Sequence, residues 1–481
     1  MTAQKMDLAK ELDTRLTRQA FYHFDVCTRC NACSDRCHMY VETEDPIHSP
    51  AYKLALLRRV YKRYHTVGGK IAPKLFKAID LSDKNLKEIS SAMFECTRCR
   101  RCATHCPFGI DPNWIVSAGR YFSSLSGQAP KTLTAMAKAG VKRAKYIENY
   151  EYLYTLQIKT LENELYEITN DPDAEIPIKN PDADLLYVPL AVQYVVNSEK
   201  CIGCGLCRKL CPQGAIKGEF KKPSFISQEE CIACGTCYKN CRLGAIVVKT
   251  PGAQSTIMPA ARIFNAADEN WSLSLYDAAN YNYFLGDIDN AKEVTSYLIN
   301  EAEELGVKTV VMSESGHGFY IMRHLAQKWF KRNFPFKVKS TAEIMAEYIK
   351  EGRLKFDPSK FSKSISYHDP CEVGRNGGIF EEPRFVLNHV AKEFVELAPP
   401  NREYNWCCGG GGGLVAETEF KDLRVKTGKR KAQQIKETKA KVIASTCENC
   451  RSQLTDLNEK YNLGIKAASL MDLVANTIKK K

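Results

Sequence analysis

Five cysteines between Cys371 and Cys450 constrain this chain more tightly than any other feature. Cys371 closes His368-Asp369-Pro370-Cys371, the adjacent pair Cys407-Cys408 opens a run of five glycines, Gly409 to Gly413, and Cys447-Glu448-Asn449-Cys450 completes the set. Five thiolates reach one metal centre only where the backbone wraps closely around it. Glycines, Gly409, Gly410 and Gly411 foremost, allow that approach without a Cβ clash. Adjacent cysteines do not easily ligate one ion in the relaxed geometry of a Cys-x-x-Cys hook, so a larger, unusual cluster suits them better.

The chain has 481 residues and 21 cysteines. A secreted disulfide framework belongs to short chains, and Met1 to Ala20 reads as a charged amphipathic helix, with Leu8, Leu12, Leu16 and Ala20 at helical spacing, rather than as a signal peptide. Regularly spaced cysteines in such a chain read as metal ligands. No apolar run approaches the roughly 18 to 20 residues that span a bilayer. Val188 to Val196 and Leu470 to Ile478 are too short, so the expected location is cytoplasmic, soluble or peripheral on the cytoplasmic face of a membrane, with membrane chemistry left to a partner. The formal charge of +13 counts every cysteine as neutral. Thiolate ligation of four cubane clusters would remove roughly eight of those charges, which leaves nucleic-acid binding without support.

Cys27-x-x-Cys30-x-x-Cys33-x-x-x-Cys37 recurs as Cys96-x-x-Cys99-x-x-Cys102-x-x-x-Cys106-Pro107, both copies opening Cys-Thr-Arg-Cys. Three cysteines at period three followed by a fourth is the bacterial ferredoxin signature, in which the fourth cysteine of each run serves the cluster of the other. One set is therefore Cys27, Cys30, Cys33 and Cys106, and a second is Cys96, Cys99, Cys102 and Cys37. Zinc uses separated Cys-x-x-Cys pairs and fits less well. The intervening Tyr52 to Ile89 is rich in Leu, Lys and Arg, with Leu54, Leu57 and Tyr61 on one helix face. His23, His38 and His105 read as polar cover. Arg29, Arg98, Arg100 and Arg101 read equally as a docking face, a bias on cluster potential or solvated surface.

Residues 126–181 read as a helical linker. A compact second ferredoxin follows at 196–250, with Cys201, Cys204, Cys207 and Cys241 as a third set and Cys231, Cys234, Cys237 and Cys211 as a fourth. It interrupts a series of β-like runs: Asp184 to Pro189, Lys308 to Ser313, Ser364 to His368 and Lys441 to Thr446. Helical patterns lie between them, which predicts a parallel α/β sheet with sites at the carboxyl ends of its strands. The loops opening at Ser313, His368 and Cys447, and the exit to the inserted ferredoxin, are then expected on one edge, giving a short electron path from the inserted clusters to the five cysteines.

At this point the residues carry a resemblance. Cys371, Cys407-Cys408 and Cys447-x-x-Cys450 are similar to the cysteine-rich CCG domain of the heterodisulfide reductase catalytic subunit family. Trp271 to Asn280, Gly316-His317 and the glycine run extend the likeness to its HdrD/DsrK-like members. The long helical insert resembles the α-helical ferredoxin domain. The resemblance implies an α-helical ferredoxin domain over 1–125 and a Rossmann-like CCG domain over 182–195 and 251–481, which together with the ferredoxin read at 196–250 make an α/β plus α+β architecture. It also implies four [4Fe–4S] cubanes and a noncubane [4Fe–4S] cluster on Cys371, Cys407, Cys408, Cys447 and Cys450 that acts on sulfur–sulfur bonds. The implied partners are a membrane cytochrome b or a flavoprotein or ferredoxin donor, and a thiol/disulfide carrier such as a small DsrC-like protein. Two departures stand out: the family's fullest members have a first five-cysteine set, absent here where Ser313-Glu314-Ser315-Gly316-His317 has no cysteine, and the inserted ferredoxin is extra.

Other readings attach to the same residues. The glycine run lacks the Gly-x-Gly-x-x-Gly form of nucleotide binding, and a vicinal disulfide leaves the other three cysteines unexplained. Glu314 and His317 are candidate proton donors to a cleaving disulfide, or equally caps of the following helix. The rival to a disulfide-cleaving enzyme is a non-catalytic subunit that wires larger redox partners together.

Overall fold

The N-terminal helices pack because their apolar residues recur every three or four positions. Leu54, Leu57 and Val60 of helix Pro50–His65 meet Leu86, Ile89 and Met93 of Asp83–Phe94 and Ile115 and Phe122 of Pro112–Leu125 in one core. Ser49 and Asp111 cap two of these helices ahead of a first-turn proline. Both cysteine runs lie in the loops that this bundle holds together. The computed structural model describes residues 18–190, 194–227, 230–231, 233–248 and 253–479, with Leu8 and Glu11. Of the expected N-terminal helix, Leu12 and Leu16 lie outside the described residues, and Arg18–Val26 is helical.

The strands, in chain order, are β1 Leu185–Val188, β2 Tyr194–Val196, β3 Ile216–Lys217, β4 Phe225–Ile226, β5 Ile246–Val248, β6 Trp271–Leu273, β7 Thr309–Met312, β8 Lys337–Ser340, β9 Ile365–Tyr367, β10 Val442–Ser445 and β11 Lys466–Ser469. The four expected runs form β1, β7, β9 and β10. They do not share one sheet, however. A parallel sheet of order β6-β1-β7-β8 stands beside a second parallel sheet of order β11-β10-β9. The two are joined by side chains, since Ile365, Tyr367, Val442 and Ala444 pack into the same core as Leu186, Val310 and Val311. β8 and β11 escape an apolar-run reading because they are half-exposed edges. Each ends on a serine, Ser340 or Ser469, that caps the next helix.

The inserted ferredoxin leaves from the end of β1 and pairs β2 with β5 and β3 with β4, both antiparallel. The stretch between the N-terminal bundle and β1 is packed rather than extended: Leu133 and Ala137 of helix Lys131–Tyr146, and Ile158, Leu161 and Leu165 of Glu151–Thr169, are buried. Among the described residues, no helix is long and apolar enough to cross a membrane.

Candidate metal centre

The loops at the carboxyl ends of the strands converge, although the strands belong to two sheets. The Glu448 N–H donates to the Glu314 carbonyl at 3.0 Å, Ser313 N–H to Val188 at 3.0 Å, and Ala278 N–H to Pro189 at 2.8 Å. A Cβ on Gly316 would touch both Glu372 and the Cys447 sulfur, at 3.3 and 3.4 Å. This meeting point gathers Cys407, Cys408, Cys447 and Cys450 into one buried cluster with Cys371 packed against it.

A sixth thiol joins them. Cys99, from the second N-terminal run, is in the same cluster, and its sulfur, that of Cys407 and a ring nitrogen of His38 all lie within 4.8 Å of one another. Hydrogen bonds from Cys371, Cys408 and Cys99 hold the Cys407 pKa well below its ordinary value, and the same bonds, with burial, raise those of the donors. Metal binding here must therefore displace shared protons. His38 Nδ1 donates to the Thr427 carbonyl at 3.1 Å and Nε2 accepts from Thr97 Oγ1 at 3.0 Å.

The glycine run is explained by this neighbour. A Cβ on Gly411 would stand 2.6 Å from the Thr97 carbonyl oxygen, and one on Gly412 2.5 Å from that of Cys96. Gly409 and Gly410 instead turn N–H groups on the sulfurs of Cys407 and Cys408, both at 3.4 Å. Arginines complete the seam. Fully buried Arg120 donates to Cys96, Phe284 and Gly412 carbonyls at 2.6 to 2.9 Å. Arg375 donates to the Cys99 carbonyl at 2.7 Å. Arg98 bonds Asn113 and Tyr283, and Arg101 stacks on Trp406. Arg98 and Arg101 are thus buried between the N-terminal and CCG regions, and the solvated-surface reading does not apply to them.

The other cysteines lie in four places. Cys27, Cys30, Cys33 and Cys106 line one cavity, and Cys37, Cys96, Cys99 and Cys102 line the next, with Pro50 and Pro112 common to both walls. Cys211, Cys231, Cys234 and Cys237 line a third. Cys201, Cys204 and Cys241 are close enough to bear on the Cys207 thiol. Four convergent thiols suit a cubane cluster in each place. The inserted ferredoxin meets the rest at a cavity where Cys231 and Ala233 face Arg143, Asp277 and Tyr281. Through Cys99, the second N-terminal set adjoins the five cysteines directly.

Glu314 and His317 sit at the convergence with their polar atoms engaged. The Glu314 carboxylate accepts from Arg451, from Leu470 N–H at 2.9 Å and from Met471 N–H at 3.2 Å. It pins the end of β7 to the helices of the second sheet. His317 Nε2 accepts from Asn280 N–H at 3.1 Å, its ring lies 4.6 Å from Phe284, and burial, with the Arg98 charge behind it, pushes its pKa down to about 3. β7 and β10 each lead through an N-cap residue into a helix, and these caps are Ser315 and Cys447. At the cap where β10 places Cys447, β7 has Ser315, so a serine fills the position equivalent to a ligand. Sequence reasoning also missed Lys431, fully buried and donating to Asn405 and Gln434. Burial pushes its pKa down to about 7, against the pull of Asp369, Cys408 and Cys407. Nothing in a helix reading Lys429-Arg430-Lys431 singles it out.

Comparison with known proteins agrees with this construction. Residues 365–455 match the cysteine-rich domain family CCG, 23–110 a 4Fe-4S dicluster domain, and 194–217 and 228–244 two 4Fe-4S binding domains. An Hdr-like menaquinol oxidoreductase iron-sulfur subunit of Archaeoglobus profundus is 25% identical, covering 97% of this chain and 81% of the relative. A dihydromethanophenazine:CoB--CoM heterodisulfide reductase subunit of Methanosarcina barkeri is 25% identical over 97% of both chains. The chain is an iron–sulfur protein built from a CCG cysteine-rich domain and 4Fe–4S ferredoxin domains. Over nearly its whole length it is similar to heterodisulfide reductase-like subunits.

Proposed function

We propose that this chain relays electrons through four [4Fe–4S] cubanes to a noncubane [4Fe–4S] cluster held by Cys371, Cys407, Cys408, Cys447 and Cys450, and there reduces, or in reverse forms, the sulfur–sulfur bond of a disulfide or trisulfide. When bound, the clusters supply single-electron transfer and, at the five-cysteine centre, an iron able to take a cleaved thiolate. The protein supplies position and exclusion of water. Arg120 and Arg375 hold the second cubane set against the CCG loop, and Gly411 and Gly412 let it approach. Lys431 places a buried amino group near Cys407 and Cys408. Cys371 alone of the five is not fully buried, so substrate reaches the centre on its side. Glu314 and His317 act as positioning residues. The observation that carries this reading is the contact of Cys99 with Cys407.

The chain works as one subunit of a larger complex. The donor is a membrane cytochrome b drawing on quinol, which the menaquinol-linked relative favours, or a flavoprotein or ferredoxin. The acceptor is a thiol/disulfide carrier, in the manner of a small DsrC-like protein. The test is anaerobic purification followed by iron analysis and electron paramagnetic resonance. About twenty irons per chain are expected at four per site, with a signal from the oxidised protein that changes when thiols are added. A full iron complement with a thiol-insensitive signal would instead leave the second reading, a non-catalytic wiring subunit, which the filled first cysteine position favours.

A further inference from the structure

One surface far from the CCG cysteines in the fold has no part in this chemistry. From Arg58 to Ile79 the sequence holds seven lysines and arginines and no Asp or Glu. Helix Pro50–His65 ends in Lys62, Arg63 and His65, and the chain turns at Thr66 into the short helix Val67–Ile71 and a loop to Ile79. On this tip Val67, Ile71 and Leu75 are 74%, 79% and 79% exposed, and Phe76 is 44% exposed. Lys70, Lys74 and Lys77 alternate with them and are exposed too.

The tip is a built structure. Thr66 Oγ1 accepts from Gly69 N–H at 3.1 Å, and Arg59 Nε donates to the Lys77 carbonyl at 3.1 Å. The Phe76 ring covers Gly68, where a Cβ would stand 2.6 Å from it. A backbone tied down in this way holds large aliphatic side chains in water, inside a ring of ammonium groups and without a carboxylate of its own. That combination is complementary to lipid: aliphatic groups enter the acyl boundary while lysines stay among headgroup phosphates.

We propose that the tip from Val67 to Lys77 docks this protein on an anionic lipid surface. Helix Pro50–His65 also reaches the first cysteine set. Leu54, on the same helix, lines its cavity, about 12 Å along the axis from Lys62 at the helical rise. Docking therefore carries the helix that lines the first cysteine set to the membrane, whatever reaction the five cysteines perform.

The test is sedimentation of the full-length, cluster-loaded protein with vesicles of phosphatidylcholine, with and without phosphatidylglycerol. Binding is expected on the mixed vesicles only, weakened by salt. Ile71→Glu with Leu75→Glu, and separately Lys70→Glu with Lys74→Glu, should each lower it by about tenfold or more. Iron content and dye-linked cluster reduction should be unchanged, and Leu75→Ser provides a milder variant should either pair lose iron. Equal binding to both vesicle types, parental binding by the variants, or no binding to vesicles of any composition overturns the proposal; the last outcome leaves a protein partner for the tip.

Discussion

The thiol of Cys99 points at Cys407. One belongs to a ferredoxin run in the N-terminal bundle and the other to the vicinal pair of the CCG domain, yet both lie in one buried sulfur cluster. Cys99→Ala should cost about four irons per chain and slow reduction of the five-cysteine centre. Cys204→Ala, in the inserted ferredoxin, should cost as much iron and leave that centre's spectrum alone. Freeze-quenched electron paramagnetic resonance of both variants makes the comparison, and equal slowing in the two would remove any functional weight from the contact.

Gly412 has a φ of +65° and faces the Cys96 carbonyl with no room for a methyl group. Gly412→Ala should destabilise the protein by about 2–4 kcal/mol through backbone strain and separation of the two domains. Gly378, at φ +79° in open space, controls for conformation alone, and Gly378→Ala should cost about 1 kcal/mol. Anaerobic urea unfolding measures both.

Glu314→Gln tests the pin between the two sheets. Among the described residues, the substitution leaves buried Arg451 with Glu448 as its remaining ion-pair partner, and breaking a buried pair this way costs about 3–5 kcal/mol. Disulfide turnover per folded, iron-replete molecule should persist. Parental stability with lost turnover would instead make Glu314 a catalytic acid.

Glu301 gives the fold a pH dependence. It is buried and accepts from Ser274 and from Leu275 N–H, and burial pushes its pKa up to about 7 from 4.5. Between those values the folded chain keeps a proton that the unfolded chain has released, so stability falls as pH rises. The loss is complete above the folded value and amounts to about 3 kcal/mol at 1.36 kcal/mol per pH unit. Glu301→Gln should remove this slope, leaving a smaller difference in urea midpoint between about pH 5 and about pH 8 than the parent shows.

Much of the candidate site was legible in the chain, for local reasons. Cysteines three positions apart must face one point in a short loop, so the grouping of Cys27, Cys30 and Cys33, or of Cys231, Cys234 and Cys237, follows from spacing, while the fourth thiol of each set comes from the other run. The buried strands β1, β7, β9 and β10 announced themselves as apolar runs. β8 and β11 did not, because an edge strand with one wet face needs no such run. Nor did spacing reveal that Glu314, a plausible proton donor by its motif, spends its carboxylate on Arg451 and the amides of Leu470 and Met471.

Local spacing determined which three thiols of each run face one point, and the turn from β-branched runs to helical periodicity determined the α/β frame around them. Only the tertiary structure decided that two sheets rather than one carry the loops, that Arg98, Arg101 and Arg120 close a seam rather than meet solvent, and that Lys431 lies beside the sulfurs. Spacing records neighbours along a few turns of chain. Which distant surfaces meet depends on how whole side chains fill the space between elements, and no periodicity encodes it.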